Sequence, residues 1–484
     1  MRPTLDDAIR ELRTVLLAPG ASAVVVAPPG TGKTTLIPLA LLGEPWLAGG
    51  RIVLLEPRRL AARAAARRMA SLIGEDVGQT VGFRTRDERR VGPATRIEVV
   101  TEGILTRRLQ QDPELPGVAL VIFDELHERN LTTDLGLALA LDARATIRPD
   151  LRVMAMSATL DAGRIAALLG TNGEPGGDRP AVVIEAGEPP HPVEVRWFPR
   201  RPTDRLEPAT ATVVETALRR EHGDVLVFLP GAAEIQRVVD LLGADRPDHV
   251  DVYPLYGALS GADQDLALRP SPPGRRRVVV ATDIAESSLT VDGVSVVVDS
   301  GLAKSPRYDP RTGLTRLRTG PVSKASTEQR AGRAGRQGPG VVYRLWSKGE
   351  HATRRAHHEP EILGVDLSGL MLELAAWGSA PESLPFLDQP PARAVADATS
   401  LLVLLGALDA DQRLTDLGPR MNSLPLHPRL ARMVTIAAGL GSADATLACA
   451  LAVLLDERDV LRGAPNERPA DAGLRLNLLA DHRA

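Results

Sequence analysis

The stretch that decides the fold is Ala23-Val24-Val25-Val26-Ala27-Pro28-Pro29-Gly30-Thr31-Gly32-Lys33-Thr34-Thr35. It opens with a short apolar run rich in valine, the composition of a strand buried on both faces of a parallel sheet. Glycines and threonines then surround one lysine, and a helical segment follows. Strand, glycine loop, lysine and helix in that order make a phosphate-binding loop. Backbone N–H groups from Gly30, Thr31 and Gly32 through Lys33 and Thr34 would cradle a phosphate at a helix N-terminus, with Thr35 beside them. Lys33 would reach the β- and γ-phosphates and Thr34 would hold Mg²⁺. Ala27 stands where the strict pattern has glycine, a smaller departure than loss of Gly32 or Lys33.

Working outward, Thr4-Leu5-Asp6-Asp7 reads as a helix start, and Leu5, Ile9, Leu12 and Leu16 follow at helical spacing. Strands are expected at 51–55, 97–100, 118–123 and 151–156, with helices between them. After the Gly/Pro-rich break at 171–180 the alternation restarts, with strands expected at 182–185, 193–197, 225–229, 252–255, 277–281, 294–298 and 341–345. Repeated strand–helix alternation predicts doubly wound α/β lobes in tandem. Beyond residue 356 two apolar helical stripes, 367–375 and 395–405, precede a short strand and turn at 413–418, a winged-helix-like pattern. The rest, 431–484, reads as the start of a helical bundle that ends abruptly, as a truncated chain would. The expected division is therefore 1–170, 171–355, 356–430 and 431–484.

The chain has 484 residues, 44% apolar and 25% charged, a globular balance that excludes collagen, coiled coil and wholesale disorder. No apolar run approaches a membrane span and no signal peptide is visible, so a cytoplasmic protein is expected. One cysteine, Cys449, excludes a disulfide framework and a zinc ribbon, and reads as a small buried hydrophobe. The net charge of −3 excludes a basic nucleic-acid coat. The cations are nearly all arginine; the four lysines are Lys33, Lys304, Lys324 and Lys348.

A second acidic motif, Val121-Ile122-Phe123-Asp124-Glu125-Leu126-His127-Glu128-Arg129, ends another strand, where ligands of α/β sheets bind. Asp124, with Glu125, would hold Mg²⁺ largely through water, and Glu125 would orient and deprotonate the attacking water. With His127 the pattern reads D-E-x-H, and here the chain resembles the DEAH-box helicases of superfamily 2, most of all the bacterial HrpB-type members. Leu126 departs from the usual alanine. Glu56–Ala62, Thr101–Leu105, Ser157-Ala158-Thr159, Phe228–Gly231, Ala281–Thr290 and Gln329–Arg336 resemble the family's further motifs, in order.

The resemblance implies two RecA-like lobes closing on Mg·ATP or another NTP. Lys33, Glu125, Gln329, Arg333 and Arg336 would act in hydrolysis, the last two as arginine fingers along one helix face. Arg68 would stack on the base, although Leu268 stands where the opposing aromatic is usual, and Asp292 and Ser288 would touch ribose and γ-phosphate. His127 would line the nucleotide site, and Ser157 and Thr159 would couple hydrolysis to strand movement. Arg58, Arg59, Thr101, Gly231 and Thr282 would contact the backbone of single-stranded RNA, and a hairpin at 304–318 would part or guide strands. Movement 3′ to 5′ by a monomer on single-stranded RNA or a tailed duplex is the implied activity. Two alternatives stay open: an ATP-switched RNA clamp without processive unwinding, and a motor tracking single-stranded DNA. The Gln329–Arg336 motif and the second lobe argue against a small-molecule kinase or a GTPase.

Overall fold

The computed structural model describes residues 3–28, 30–157, 162–170, 179–187, 191–201, 203–244, 247–286, 291–309, 314–457, 459–461 and 468–481. Thr159, Ser288 and the tip of the 304–318 hairpin lie outside them. The chain divides into two compact units. One holds residues up to Gly364 together with Pro385–Asp388, and the other holds Val365–Leu384 and Gln389 onward.

The first unit carries two mostly parallel sheets. The first sheet comprises β1 (Ser22–Val26), β2 (Arg51–Leu55), β3 (Val81–Arg84), β4 (Arg89–Arg90), β5 (Ile97–Val100), β6 (Val118–Phe123), β7 (Arg152–Ser157) and β8 (Val182–Glu185). Their spatial order is β4-β3-β5-β2-β6-β7-β1-β8, and the β3–β4 pair is antiparallel. The second sheet is parallel throughout, in the order β11-β12-β10-β13-β16-β9. Its strands are β9 (Val193–Trp197), β10 (Asp224–Phe228), β11 (Val250–Leu255), β12 (Arg276–Ala281), β13 (Val294–Asp299) and β16 (Gly340–Arg344). Between the last two lies an antiparallel hairpin of β14 (Leu302–Asp309) and β15 (Leu314–Pro321). The doubly wound pattern thus forms two RecA-like lobes. The central strands β1 and β6 are buried because helices cover both faces of the sheet.

Four expectations need correction, three of them here and one in the second unit. Residues 182–185 do not open the second lobe; β8 pairs in parallel with β1 at the edge of the first sheet. Alternation along the chain cannot reveal which sheet a strand joins, and β8 satisfies the backbone groups on the free side of β1. Arg333 and Arg336 do not line a helix face either. The helix Lys324–Gly332 ends before them, with Arg333 as its C-cap and Arg336 in the following turn. Gly335 makes a close approach there: a Cβ on it would lie 2.7 Å from Val193 Cγ2 and against the His191 carbonyl. The Gly332-Arg333-Ala334-Gly335 run therefore ends the helix, and Gly335 packs tightly on the segment His191–Val193. Cys449, finally, is exposed. Its helix, Ser442–Asp456, buries only Ala448 and Ala452, one turn apart on a different face.

The second unit is helical, with Ser368–Trp377, Ala392–Leu404, Leu417–Asn422, Pro428–Leu440, Ser442–Asp456 and Ala472–Asp481. Leu372, Leu402, Leu408, Met421 and Ala431 form one of its cores. The strand expected at 413–418 is reduced to a single bridge, Leu408↔Leu414, followed by a helix. No helix among the described residues is long and apolar enough to cross a membrane.

Candidate nucleotide site

The phosphate loop leaves β1 and enters the helix Lys33–Leu41 through two left-handed glycines, Gly30 at φ 88° and Gly32 at φ 86°. Only glycine adopts that backbone without strain. Lys33, 3% exposed, lies 3.5 Å from the carbonyl of Ala27, the residue after β1, and 3.6 Å from Glu125. Two strands away, β6 delivers Asp124 and Glu125 at its C-terminal end. The Thr34 hydroxyl donates to Asp124 at 2.5 Å. Asp124 also accepts from the Glu125 N–H at 2.8 Å. Burial, reinforced by the adjacent Glu125, pushes the Asp124 carboxyl up to about 7. Burial acts the same way on Glu125, but Lys33, His127, Arg333 and Arg58 outweigh it and hold that carboxylate below its ordinary range.

Glu125 itself is left-handed, φ 50°, as is Arg129, φ 56°, at the two ends of the short turn Leu126–Glu128. For side chains other than glycine this backbone costs roughly 1–3 kcal/mol per residue and persists only where the surroundings hold it. The turn presents His127 with Nδ1 3.3 Å from Glu125. Burial lowers the His127 pKa, against the opposing pull of Glu125. A proton on Nδ1 facing Glu125 leaves Nε2 to accept from the Gln329 amide, 2.8 Å away.

Gln329 belongs to the second lobe, so this hydrogen bond joins the lobes beside the acidic pair. Arg336 makes a second crossing. A Cβ on Gly30 would lie 2.5 Å from Arg336 Nη2 and 2.6 Å from Cζ, so the guanidinium rests directly over the phosphate loop. Its Nη1 is buried with no hydrogen-bond partner among the described residues. Arg333, 4% exposed, donates to the Glu286 carbonyl through Nε (2.9 Å) and Nη2 (2.7 Å). Burial and the nearby Arg336 lower its pKa to about 9. Leu60 and Ala64 of the first lobe pack on the second lobe's core beside Leu268.

These groups suit Mg·NTP. A buried lysine, an orphaned arginine N–H and glycine-lined backbone match a polyphosphate. Thr34 and Asp124 supply the hard oxygen donors that Mg²⁺ takes.

The remaining expected residues are more scattered. Arg68 is exposed on the helix Arg59–Leu72. Asp292 is exposed and accepts from Gln337 at 3.1 Å. Ser157 is buried at the end of β7. Arg58 is drawn into the cleft, paired with Glu128 at 2.9 Å and donating to the Asp283 carbonyl at 2.5 Å. A phosphate would have to compete with Glu128 for it. Arg59 is exposed and pairs with Asp87. Thr101 precedes the helix Glu102–Gln111 and makes no side-chain cap. Thr282 accepts from the Ile284 N–H at 3.5 Å. Gly231 is covered by the Lys304 ammonium, which pairs with Glu234 at 3.0 Å.

Two groups escaped the sequence reading. Glu286 is a hub: its carboxylate takes Arg330 at 2.8 Å while its carbonyl takes Arg333. Arg330, 1% exposed, also reaches Asp299 at 2.9 Å. Its place one residue after Gln329 was a usable signal. Arg129 gave none, because its carboxylate partners, Asp134 and Asp388, lie 5 and 259 positions away.

Residues 8–167 match the family described as DEAD/DEAH box helicase, 209–338 the helicase conserved C-terminal domain, and 398–426 the winged-helix helicase associated domain HA2. The chain is 48% identical to the ATP-dependent RNA helicase HrpB of Escherichia coli K12, over 89% of this chain and 52% of that protein. It is 35% identical to HrpA of the same organism, over 96% of this chain and 34% of HrpA. The crystal structure of the Escherichia coli DEAH/RHA helicase HrpB superposes with a TM-score of 0.88 at 45% identity, covering 100% of this chain and 61% of that one. The chain thus spans about half the length of the curated HrpB it resembles. By its two lobes, its D-E-x-H turn and these likenesses, the chain belongs to the DEAH-box helicases of superfamily 2, of the HrpB type.

Proposed function

We propose that this chain is an ATP-dependent RNA helicase motor that couples Mg·NTP hydrolysis to 3′-to-5′ movement on single-stranded RNA and to unwinding of tailed duplexes. The observation that carries this reading is the double crossing between lobes, Gln329 to His127 and Arg336 over Gly30. Groups from both lobes meet at the phosphate loop and at the acidic pair, so nucleotide state and lobe closure are physically linked.

In this reading Lys33, Thr34 and the loop backbone bind the polyphosphate, and Thr34 and Asp124 would hold Mg²⁺, which would supply further positive charge to it. Glu125, kept ionised by Lys33, orients the water and takes its proton. Gln329 and His127 hold Glu125 and the water in line, and Arg333 and Arg336 stabilise charge on the departing phosphate, worth ~10³–10⁵ in rate for such fingers. Arg68, Asp292 and Ser288 complete the nucleotide contacts, and Ser157 and Thr159 pass lobe movement on. Arg58, Arg59, Thr101, Gly231 and Thr282 grip the RNA backbone without reading sequence. The divisions at 355 and 430, a cytoplasmic location and a monomeric state belong to the same proposal, while the boundary expected at 170 moves past β8.

ATP turnover measured with no polymer, with single-stranded RNA and with single-stranded DNA of equal length tests it. Stimulation by RNA supports the motor, provided that Glu125→Gln abolishes turnover while sparing ATP binding. Near-normal turnover by that variant would refute the assignment. Equal stimulation by DNA would favour the DNA-tracking alternative. A tailed duplex left intact during turnover would favour the clamp.

A further inference from the structure

We infer that Arg129 is a positioning residue for Glu125, and that Asp388, where the chain returns from the second unit, is the handle through which it is held. The inference rests on the reading of Glu125 as the base.

The turn that aims Glu125 is bounded by two left-handed residues, Glu125 and Arg129. Such a turn relaxes unless its ends are fixed. Its middle is fixed by Leu126, fully buried. Its far end is fixed by Arg129, which is 7% exposed and committed on three sides. Nε lies 3.3 Å from both Asp134 oxygens, and Nη2 donates to Asp134 at 2.9 Å. Nη1 forms an ion pair with Asp388 at 2.6 Å. The Arg129 carbonyl accepts from the Glu361 N–H at 3.1 Å, and the Glu361 carboxylate in turn caps the Leu131 N–H at 2.9 Å. Asp134 sits on the helix Leu131–Thr146 that follows the turn.

Glu361 and Asp388 come from outside the first lobe. Asp388 is the last residue of the four-residue return Pro385–Asp388, with second-unit chain on either side of it. It is anchored on the first lobe a second time by Arg164 at 2.8 Å. Arg129 is buried and Asp388 is half-buried, so removing the carboxylate leaves a desolvated guanidinium with one partner fewer. The pair therefore links the backbone geometry of Glu125 to a strap that leads directly into the second unit.

The test is a set of variants read by steady-state and single-turnover ATP hydrolysis, with nucleotide affinity and thermal melting measured alongside. Arg129→Gln should lower kcat about 10-fold or more, because small misplacements of a catalytic group carry costs of this order, while the ATP Kd stays within about threefold. Asp388→Asn should lower kcat less, about threefold to tenfold. Arg129→Lys keeps a charge for Asp134 but cannot span both carboxylates, and should match Asp388→Asn. Arg129→Gln combined with Asp388→Asn should be no slower than Arg129→Gln alone, and in a Glu125→Gln background Arg129→Gln should cost nothing further. Wild-type kcat in Asp388→Asn, multiplicative losses in the double variant, or parallel losses of kcat and ATP affinity would overturn the inference. The two readings fail separately. Normal turnover in Glu125→Gln defeats the site assignment, whereas an inactive Glu125→Gln beside a fully active Arg129→Gln defeats only the positioning role.

Discussion

Replacing Gly30 by alanine tests the contact on which the two-lobed site depends. The position has φ 88°, so an L side chain there is strained by roughly 1–3 kcal/mol before any contact is considered. The added methyl would also sit 2.5–2.6 Å from the Arg336 guanidinium, where ordinary carbon contacts need about 3.5 Å or more. Either the loop or the arginine must therefore yield by about an ångström. A displacement of that size at a catalytic group costs on the order of 100-fold in rate. Gly30→Ala should thus lose 1–3 kcal/mol of local stability, by the same estimate, and about 100-fold in kcat. The assay is steady-state ATP hydrolysis beside fluorescent-nucleotide binding, in the wild-type and Arg336→Ala backgrounds. With Arg336 removed the collision disappears, so Gly30→Ala should then add only the backbone strain and leave the already low kcat nearly unchanged. Turnover within threefold of wild type, or an equal loss in both backgrounds, would refute the placement of Arg336 over the loop.

Gln329→Ala removes the amide that bonds His127 at 2.8 Å; turnover should fall ~10-fold or more with ATP affinity little changed, and unchanged turnover would sever this link between the lobes. Arg277→Met strips a 1%-exposed guanidinium from Asp224, 2.8 Å away, and leaves that buried carboxylate without its ion-pair partner, held by the Ser271 hydroxyl and the residue-277 N–H; urea unfolding should register a loss of about 3 kcal/mol. Glu102 accepts from Asn130 at 2.8 Å and Thr133 at 2.9 Å, and burial lifts its carboxyl to about 7 despite those bonds. Because its folded pKa lies above the unfolded value of 4.5, the stability it contributes is present below that value and is lost as pH rises to about 7. At ~1.4 kcal/mol per pH unit the loss is capped at about 3 kcal/mol. Between pH 5 and pH 8 the wild type should therefore lose stability relative to Glu102→Gln, and parallel stability curves for the two proteins would refute the shift.

The sequence by itself determined most of the parallel strands, though not β3, β4 or the fate of 413–418, and it marked the residues to which the chemistry is assigned. Valine-rich runs ending in Gly-Lys-Thr or Asp-Glu are local signals, since strand burial, phosphate cradling and paired carboxylates each depend on residues close together in the chain. The D-E-x-H turn and the phosphate loop were therefore legible one residue at a time. The tertiary structure alone decided which sheet β8 joins, that Arg333 and Arg336 lie beyond the end of their helix, and that Cys449 faces outward. It alone brought Gln329 to His127 across 202 positions and Arg129 to Asp388. Those outcomes follow from packing between distant segments. A strand's partner is set by which edge still needs hydrogen bonds, and an arginine's partner by which carboxylate is desolvated beside it. Neither fact is encoded in the neighbours of either residue.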